Sequence, residues 1–292
     1  MPNAFLRSWE ITKLSFNVMK QDNELLLFPL LAGVFSLLFI AAVLFPTIIA
    51  SILKDTGIFY FGVFEYFLLF VIYFGLTFIA TFFNVCVVYT TKVRFKGGNA
   101  TFAESIKFAL SRLHLIFYWS LISATVGLIL RLIDRMAERT GRAGQLIANI
   151  VTSLLGMAWS IVTIFVVPSM VYHNLGPVEA IKKSAATFKK TWGESLIRYF
   201  GMGLIEFLFI ITGIVLAIPL IFLALGLGVY GILAIVIIVI AYIVIVSIVF
   251  SIANTIFNTA LYVYADTNKI PKGYSKDIMN NAFRSRKSKI VA

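Results

Sequence analysis

The chain has 292 residues, of which 60% are hydrophobic and only 13% are charged, and its formal net charge is +12. Soluble domains carry about a quarter charged residues, so this composition excludes a soluble globular domain. Because the basic residues cluster between hydrophobic runs, membrane orientation and anionic headgroups explain the positive charge, and no nucleic-acid partner is expected.

The first hydrophobic run begins near Leu25 and is too long for the 7–15-residue core of a signal peptide, so we expect a retained helix. Six long runs occupy residues 25–53, 59–90, 114–133, 146–172, 196–225 and 229–265. About 20 helical residues cross a hydrocarbon core roughly 30 Å thick. The runs therefore predict an all-α, polytopic membrane helix bundle with about six transmembrane helices.

Glycine and proline punctuate these runs. The fifth and sixth are parted only at residues 226–228, which predicts a tight helical hairpin. Pro46, Pro168 and Pro219 lie inside or near the ends of runs, and each is expected to kink its helix because proline lacks an N–H.

The 25 Lys and Arg residues are distributed unevenly between the two sides of such a bundle. Twenty fall in the N-terminal segment, the 2–3 and 4–5 connections and the C-terminal tail, and five fall in the other connections. The positive-inside rule predicts a cell-membrane protein with both termini in the cytoplasm. The exception is the 3–4 connection, whose arginines have helical spacing and predict a short interfacial helix outside, namely Arg131, Arg135, Arg139 and Arg142.

A segment repeats at an offset of 75 residues: residues 102–107 (FAESIK) match residues 177–182 (PVEAIK). A weaker copy begins at the N-terminus, where Phe5, Trp9, Phe16 and Met19 share one side. We interpret the chain as one integral membrane domain of three units, each an interfacial amphipathic helix followed by a transmembrane hairpin. The units are placed at about residues 1–91, 92–172 and 173–265, with a basic tail at 266–292.

The copy near residue 177 has the strongest two-sided pattern. We expect one apolar face, made of Val178, Ile181, Ala185, Phe188 and Trp192. The basic residues beside it are predicted to contact lipid headgroups, with Trp192 as an anchor: Lys182, Lys183, Lys189 and Lys190.

Four polar residues inside the runs form a candidate intramembrane polar site. Glu206 is expected near mid-depth, either as a proton or cation site or as a packing residue, since an unpaired carboxylate there costs several kcal/mol. Asn84, Asn254 and Asn258 predict hydrogen bonds between helices, with a polar permeation path as the alternative.

No catalytic, nucleotide or metal motif stands out, so no enzyme activity, cofactor or metal is predicted. The single cysteine, Cys86, lies inside a run and is interpreted as a packed apolar residue.

Three strings carry a family resemblance: residues 27–33 (LFPLLAG), 176–184 (GPVEAIKKS) and 191–194 (TWGE). They resemble an uncharacterised prokaryotic family of six-helix membrane proteins, described only as a domain of unknown function. More distantly, the plan is similar to the membrane domain fused to some glycerophosphoryl diester phosphodiesterases. The resemblance implies a fold and a location, and supplies no catalytic residues.

These patterns favour a non-enzymatic protein that organises membrane, binds lipid or scaffolds a partner. Its expected partners are anionic headgroups on the cytoplasmic face, with a homo-oligomer or a membrane partner protein left open. The alternative is a small transporter or channel with a polar site near Glu206 at the repeat interface.

Overall fold

The computed structural model describes residues 4–53, 63–138, 141–192, 201–224, 226 and 228–274. These residues are almost entirely helical. The α-helices are α1 (Ala4–Lys20), α2 (Leu27–Leu53), α3 (Val63–Phe95), α4 (Phe102–Ser111), α5 (Leu113–Glu138), α6 (Gly141–Thr163), α7 (Val166–His173), α8 (Pro177–Trp192), α9 (Gly201–Ala224) and α10 (Gly228–Thr267). A short 3₁₀ helix, Asn23–Leu26, joins α1 to α2.

Six stretches are long and apolar enough to cross a membrane, which confirms the predicted helix bundle. They are Glu24–Ile49, Tyr66–Phe95, Leu113–Glu138, Gly144–His173, Ile205–Phe222 and Gly228–Thr267. In chain order, each short helix α1, α4 or α8 precedes two of these spans. The order of elements therefore follows the predicted helix-plus-hairpin unit three times.

The chain forms two compact units. One contains the described parts of Met1–Leu27, Val93–Asn99 and Thr191–Ala292, and thus α1, α9 and α10. The other contains the described parts of Phe28–Lys92 and Ala100–Lys190, and thus nearly all of α2 to α8.

The α9–α10 hairpin turns as tightly as predicted. Helix α9 ends at Ala224, and α10 begins at Gly228, whose φ of 71° is a left-handed conformation that favours glycine. The two helices approach closely where the ring of Tyr242 covers Gly213, and the Tyr242 hydroxyl donates to the carbonyl of Phe209 (2.9 Å).

One of the three prolines lies beside a helix break, and the other two lie inside continuous helices. Pro46 lies inside α2 and Pro219 inside α9, and both helices continue past them. The fourth span is instead interrupted between Thr163 and Val166, just before Pro168. Proline at 168 has no N–H for the carbonyl four residues earlier and clashes with it, which accounts for a break at this position.

The predicted separate interfacial helix in the 3–4 connection is wrong. Arg131 and Arg135 belong to the last turns of α5, which runs to Glu138, and α6 already begins at Gly141. Arg139 and the side chain of Arg142 lie outside the described residues. Near this end the two helices are joined by the Thr152 hydroxyl, which donates to Asp134 Oδ1 (2.6 Å).

Candidate membrane-interface site

Helix α10 has two halves that differ in burial. At 40 residues it is about 60 Å long, twice the roughly 30 Å hydrocarbon thickness. Its exposed large apolar side chains begin at Val229 and end at Ile245. Residues 228–245 span about 27 Å, which matches the hydrocarbon core. From Val246 onward many residues of the helix are buried, including Ile256 and Leu261.

The second helices of the other two hairpins are built in the same way. In α3, residues 64 and 66–80 are exposed or half-buried apart from Gly75, whereas residues 81–91 are mostly buried. On the α6–α7 span, residues 144–164 are exposed or half-buried apart from Thr152, and residues 165–171 are all buried. Each of these spans therefore has an exposed part of about 25–31 Å, close to the hydrocarbon thickness, followed by a protein-packed end.

Each short helix contributes one fully buried serine that forms a hydrogen bond at such a packed end. The three serines are Ser15 of α1, Ser105 of α4 and Ser184 of α8. Since a buried hydroxyl without a partner is costly, these bonds help to fix where each short helix sits.

Ser105 joins α4 to the end of α3. Its hydroxyl lies 2.7 Å from that of Thr90, which is also fully buried and donates to the Cys86 carbonyl. Helix α4 starts at a capping box: Thr101 Oγ1 accepts from the Glu104 N–H (3.3 Å), and the Glu104 carboxylate accepts from the Thr101 N–H (2.9 Å).

Ser184 joins α8 to the break before α7. The Phe165 backbone N–H, released from the helix at this break, donates to Ser184 Oγ (3.0 Å), and both residues are fully buried. The hydroxyl therefore satisfies the donor that the break releases.

Ser15 joins α1 to the segment after α10. Its hydroxyl lies 2.9 Å from the Tyr274 hydroxyl, and the Tyr274 ring packs against Phe95 and Phe257. Burial raises the pKa of the Tyr274 phenol, and the hydrogen bond with Ser15 acts in the opposite direction.

The packed face of α8 is made of small residues, which the sequence pattern did not predict. Its buried residues are Pro177, Ala180, Ser184 and Thr187. On the expected apolar face Val178 is 56% exposed, and Ile181, Ala185 and Phe188 are half-buried. The described residues of that face are therefore not the main protein contact of α8.

The basic residues of α8 lie away from the packed face. Lys182 and Lys189 are exposed and Lys183 is half-buried, whereas the side chains of Lys190 and Trp192 lie outside the described residues. The predicted lipid contacts of these residues stay a prediction.

The other short helices show the same two-sidedness. Helix α4 buries Ser105 and Ala109, while Leu110 is 51% exposed. Helix α1 buries Thr12 and Ser15, while Trp9 is 40% exposed. Small and hydroxyl residues thus face the protein in α4, whereas α1 also buries Val18 and Met19.

The candidate polar residues divide between the two units. Asn84 belongs to one unit, and its buried amide oxygen has no hydrogen-bond partner within the described ranges. Glu206, Asn254 and Asn258 belong to the other unit, where Asn254 is exposed and Asn258 is half-buried. All three asparagines fall in the packed ends of α3 and α10 and not in the lipid-length parts.

Glu206 lies about 27 Å along α9 from Ala224, close to one hydrocarbon thickness from the hairpin turn. Its predicted depth in the membrane stays a prediction. Its carboxyl group forms a hydrogen bond with Ser247 of α10. Ser247 precedes Asn254 by about 10 Å along the helix, so the structure does not bring these two predicted site residues to one point.

Sequence reasoning missed three polar contacts of basic side chains near the packed ends. Arg94 donates to the buried Asp22 carboxylate (3.0 Å) in one unit. In the other unit, Lys92 donates to the Val171 carbonyl (2.9 Å) at the end of α7. There Arg112 also bonds the Asn174 side chain. A cationic side chain is stabilised near the negative C-terminal end of a helix dipole. Each of these contacts joins residues far apart in the sequence, so no local pattern predicts it.

No group of three or more His, Cys, Asp or Glu residues able to hold a metal ion occurs among the described residues. Cys86 is buried, in keeping with a packing role.

Six apolar spans with lipid-length exposed surfaces define a multi-pass membrane protein. The chain belongs to DUF6159, a family of unknown function, whose model matches residues 63–272. No curated protein and no solved structure matches the chain. The distant similarity to the phosphodiesterase membrane domain stays a prediction.

Proposed function

We propose that this is a non-enzymatic protein of the cell membrane that gathers anionic lipid at its cytoplasmic face through its three short helices. The observation that carries the proposal is α8, where a packed face of small residues leaves Val178, Lys182 and Lys189 exposed. A helix held by one face with apolar and basic groups on the others suits the boundary between acyl chains and anionic headgroups.

The position of α1 along α10 supports this depth. Its Phe16 ring packs against Phe250 (5.5 Å between centroids). Phe250 is about 33 Å along α10 from Gly228, close to one hydrocarbon thickness. Helix α1 therefore lies where an interfacial helix belongs, at the end of the lipid-length part.

The orientation rests on the charge distribution. In the proposed orientation, the cytoplasmic side would hold twenty of the 25 basic residues, including those of α8 and of the tail. Placing both termini in the cytoplasm avoids translocating the larger set.

The test measures anionic-lipid enrichment around the full chain in nanodiscs made from equal amounts of anionic and neutral phospholipid, with native mass spectrometry of retained lipids. The wild type should retain mostly anionic lipid. A Lys182→Gln/Lys189→Gln variant should lose about fivefold per lysine, since each basic group near an anionic surface contributes about 1 kcal/mol.

A charge-matched variant, Lys269→Gln/Lys272→Gln, changes two exposed lysines after α10 and serves as the control. It should keep most of the enrichment. Equal retention of anionic lipid by the wild type and the α8 variant would reject the proposal and favour a protein partner on this face.

The alternative, a small transporter or channel, draws support from Glu206, a carboxylate within a span that is linked to Ser247 on the next span. Its distance of about 27 Å from the hairpin turn and the location of the asparagines in packed ends weaken a mid-membrane path. Proteoliposome flux that is unchanged by Glu206→Gln would remove Glu206 from such a role.

A further inference from the structure

The geometry points to a second lipid contact: Glu206 and the aromatic residues of α1, α9 and α10 form a site for the primary ammonium group of an ethanolamine-type phospholipid. This inference rests on the proposed lipid-organising function, but it uses different residues and the cationic group of a zwitterionic headgroup.

The first observation is the convergence of rings near the level of Glu206. Phe209 and Phe250 lie 5.5 Å apart between centroids. Helical side chains lean toward the N-terminus of their own helix, so in this antiparallel hairpin the two rings lean toward each other. They meet near the level at which Glu206 bonds Ser247.

The second observation is that α1 adds two more rings and that the cluster is open. Trp9 stacks on Phe209 at 6.4 Å and Phe16 packs on Phe250 at 5.5 Å. Trp9 and Phe209 each keep 40% of their surface exposed. Exposed aromatic faces attract cations, and Trp is the strongest of them.

The third observation is the carboxylate itself. Glu206 is half-buried about 27 Å along α9 from the hairpin turn, close to one hydrocarbon thickness, and its hydrogen bond is with a neutral hydroxyl. Lys13 lies one turn from Trp9 on α1 and is exposed. Among the described residues, Lys13 forms no ion pair with the Glu206 carboxylate. A carboxylate at this depth requires a counter-charge, and a headgroup ammonium lies at the same depth.

The chemistry selects a primary ammonium over a quaternary one. The Glu206 carboxylate and the Ser247 hydroxyl both accept hydrogen bonds, which an N–H-bearing ammonium donates and a choline group cannot. The aromatic faces would accommodate either cation.

The experiment uses the full chain in nanodiscs containing phosphatidylethanolamine, phosphatidylcholine and an anionic phospholipid, with native mass spectrometry of retained lipids. The wild type should retain phosphatidylethanolamine over phosphatidylcholine. Glu206→Gln keeps the shape and a partner for Ser247, and should lower that retention about tenfold, the size of one charge-assisted hydrogen bond.

Two arms make the outcome specific. Glu10→Gln removes an exposed acid next to Trp9 and should change nothing. Lys182→Gln/Lys189→Gln should lower anionic-lipid retention and leave phosphatidylethanolamine unchanged, so the two proposals fail separately. Equal retention of the two zwitterionic lipids by the wild type, or undiminished retention by Glu206→Gln, overturns the site. Displacement by free ethanolamine at the same concentration as the lipid overturns the lipid as its source.

Discussion

The two halves of α10 are both rich in large apolar side chains, yet they meet different surroundings. In residues 228–245 such side chains are largely exposed, and Leu233 is 51% exposed. In residues 246–267 many are buried, and Leu261 is fully buried. Hydrophobicity therefore marks the helix but does not mark where lipid gives way to protein. That boundary follows from the short helices, which cover the packed ends.

The largest expected effect concerns the side of the membrane on which the packed ends lie. Single cysteines introduced by Lys96→Cys, Arg139→Cys, Lys189→Cys or Lys287→Cys in a Cys86→Ala background would be probed on intact cells with an impermeant thiol reagent. Only the cysteine at 139 should react, since the other three are expected in the cytoplasm. Labelling at 189 or 287 would invert the orientation or break the six-span topology.

The second prediction compares one substitution in the two halves. Leu261→Ala should destabilise the fold by about 2–5 kcal/mol because it leaves a cavity in packed protein. Leu233→Ala should cost under about 1 kcal/mol, because lipid or detergent refills the space. Unfolding by SDS titration of both variants gives the difference, and equal costs would abolish the distinction between the halves.

The third prediction sharpens the boundary at the α6–α7 break. Ser184→Ala leaves the buried Phe165 N–H without its hydroxyl acceptor and should cost about 1–3 kcal/mol. Ser111→Ala, on the exposed side of α4, should stay within about 0.5 kcal/mol. Hydrogen exchange around residue 165 should accelerate in the first variant alone. Unchanged exchange there would show that another group satisfies this donor.

The smallest expected effect is the pH dependence of the stability that the Ser15–Tyr274 hydrogen bond contributes. Burial raises the pKa of Tyr274, so above about pH 10 the unfolded chain loses this proton before the folded chain does. Stability is therefore independent of this group below that pH and falls above it.

Tyr274→Phe removes this titration. It should lower stability by about 1 kcal/mol at neutral pH, and the gap to the wild type should close above pH 10. Thermal melts across pH 7–11 provide the measurement, with the exposed Tyr230→Phe as the control. A gap that stays constant across this range would mean that the phenol is not shielded.

The six spans were predictable because their signal is local: each run is long enough to cross the membrane. The hydrogen bond between Glu206 and Ser247 was not predictable, since it joins residues 41 positions apart. The packed face of α8 was missed because hydrophobic patterns reward large side chains, whereas Ala180 and Ser184 pack by being small. The bond between Ser15 and Tyr274 joins residues 259 positions apart, and no local pattern announces it.

The packing of α1 on α10 also implies a delay during biosynthesis between the appearance of α1 and that of its partner. Helix α1 is made well before Phe250 and Tyr274, which contact it. At about 5–20 residues per second, roughly 10–50 s pass before its partner leaves the ribosome. Throughout that interval α1 has a membrane surface nearby but no native protein face. The nascent chain is therefore expected to hold α1 against lipid until α10 is made and packs on it.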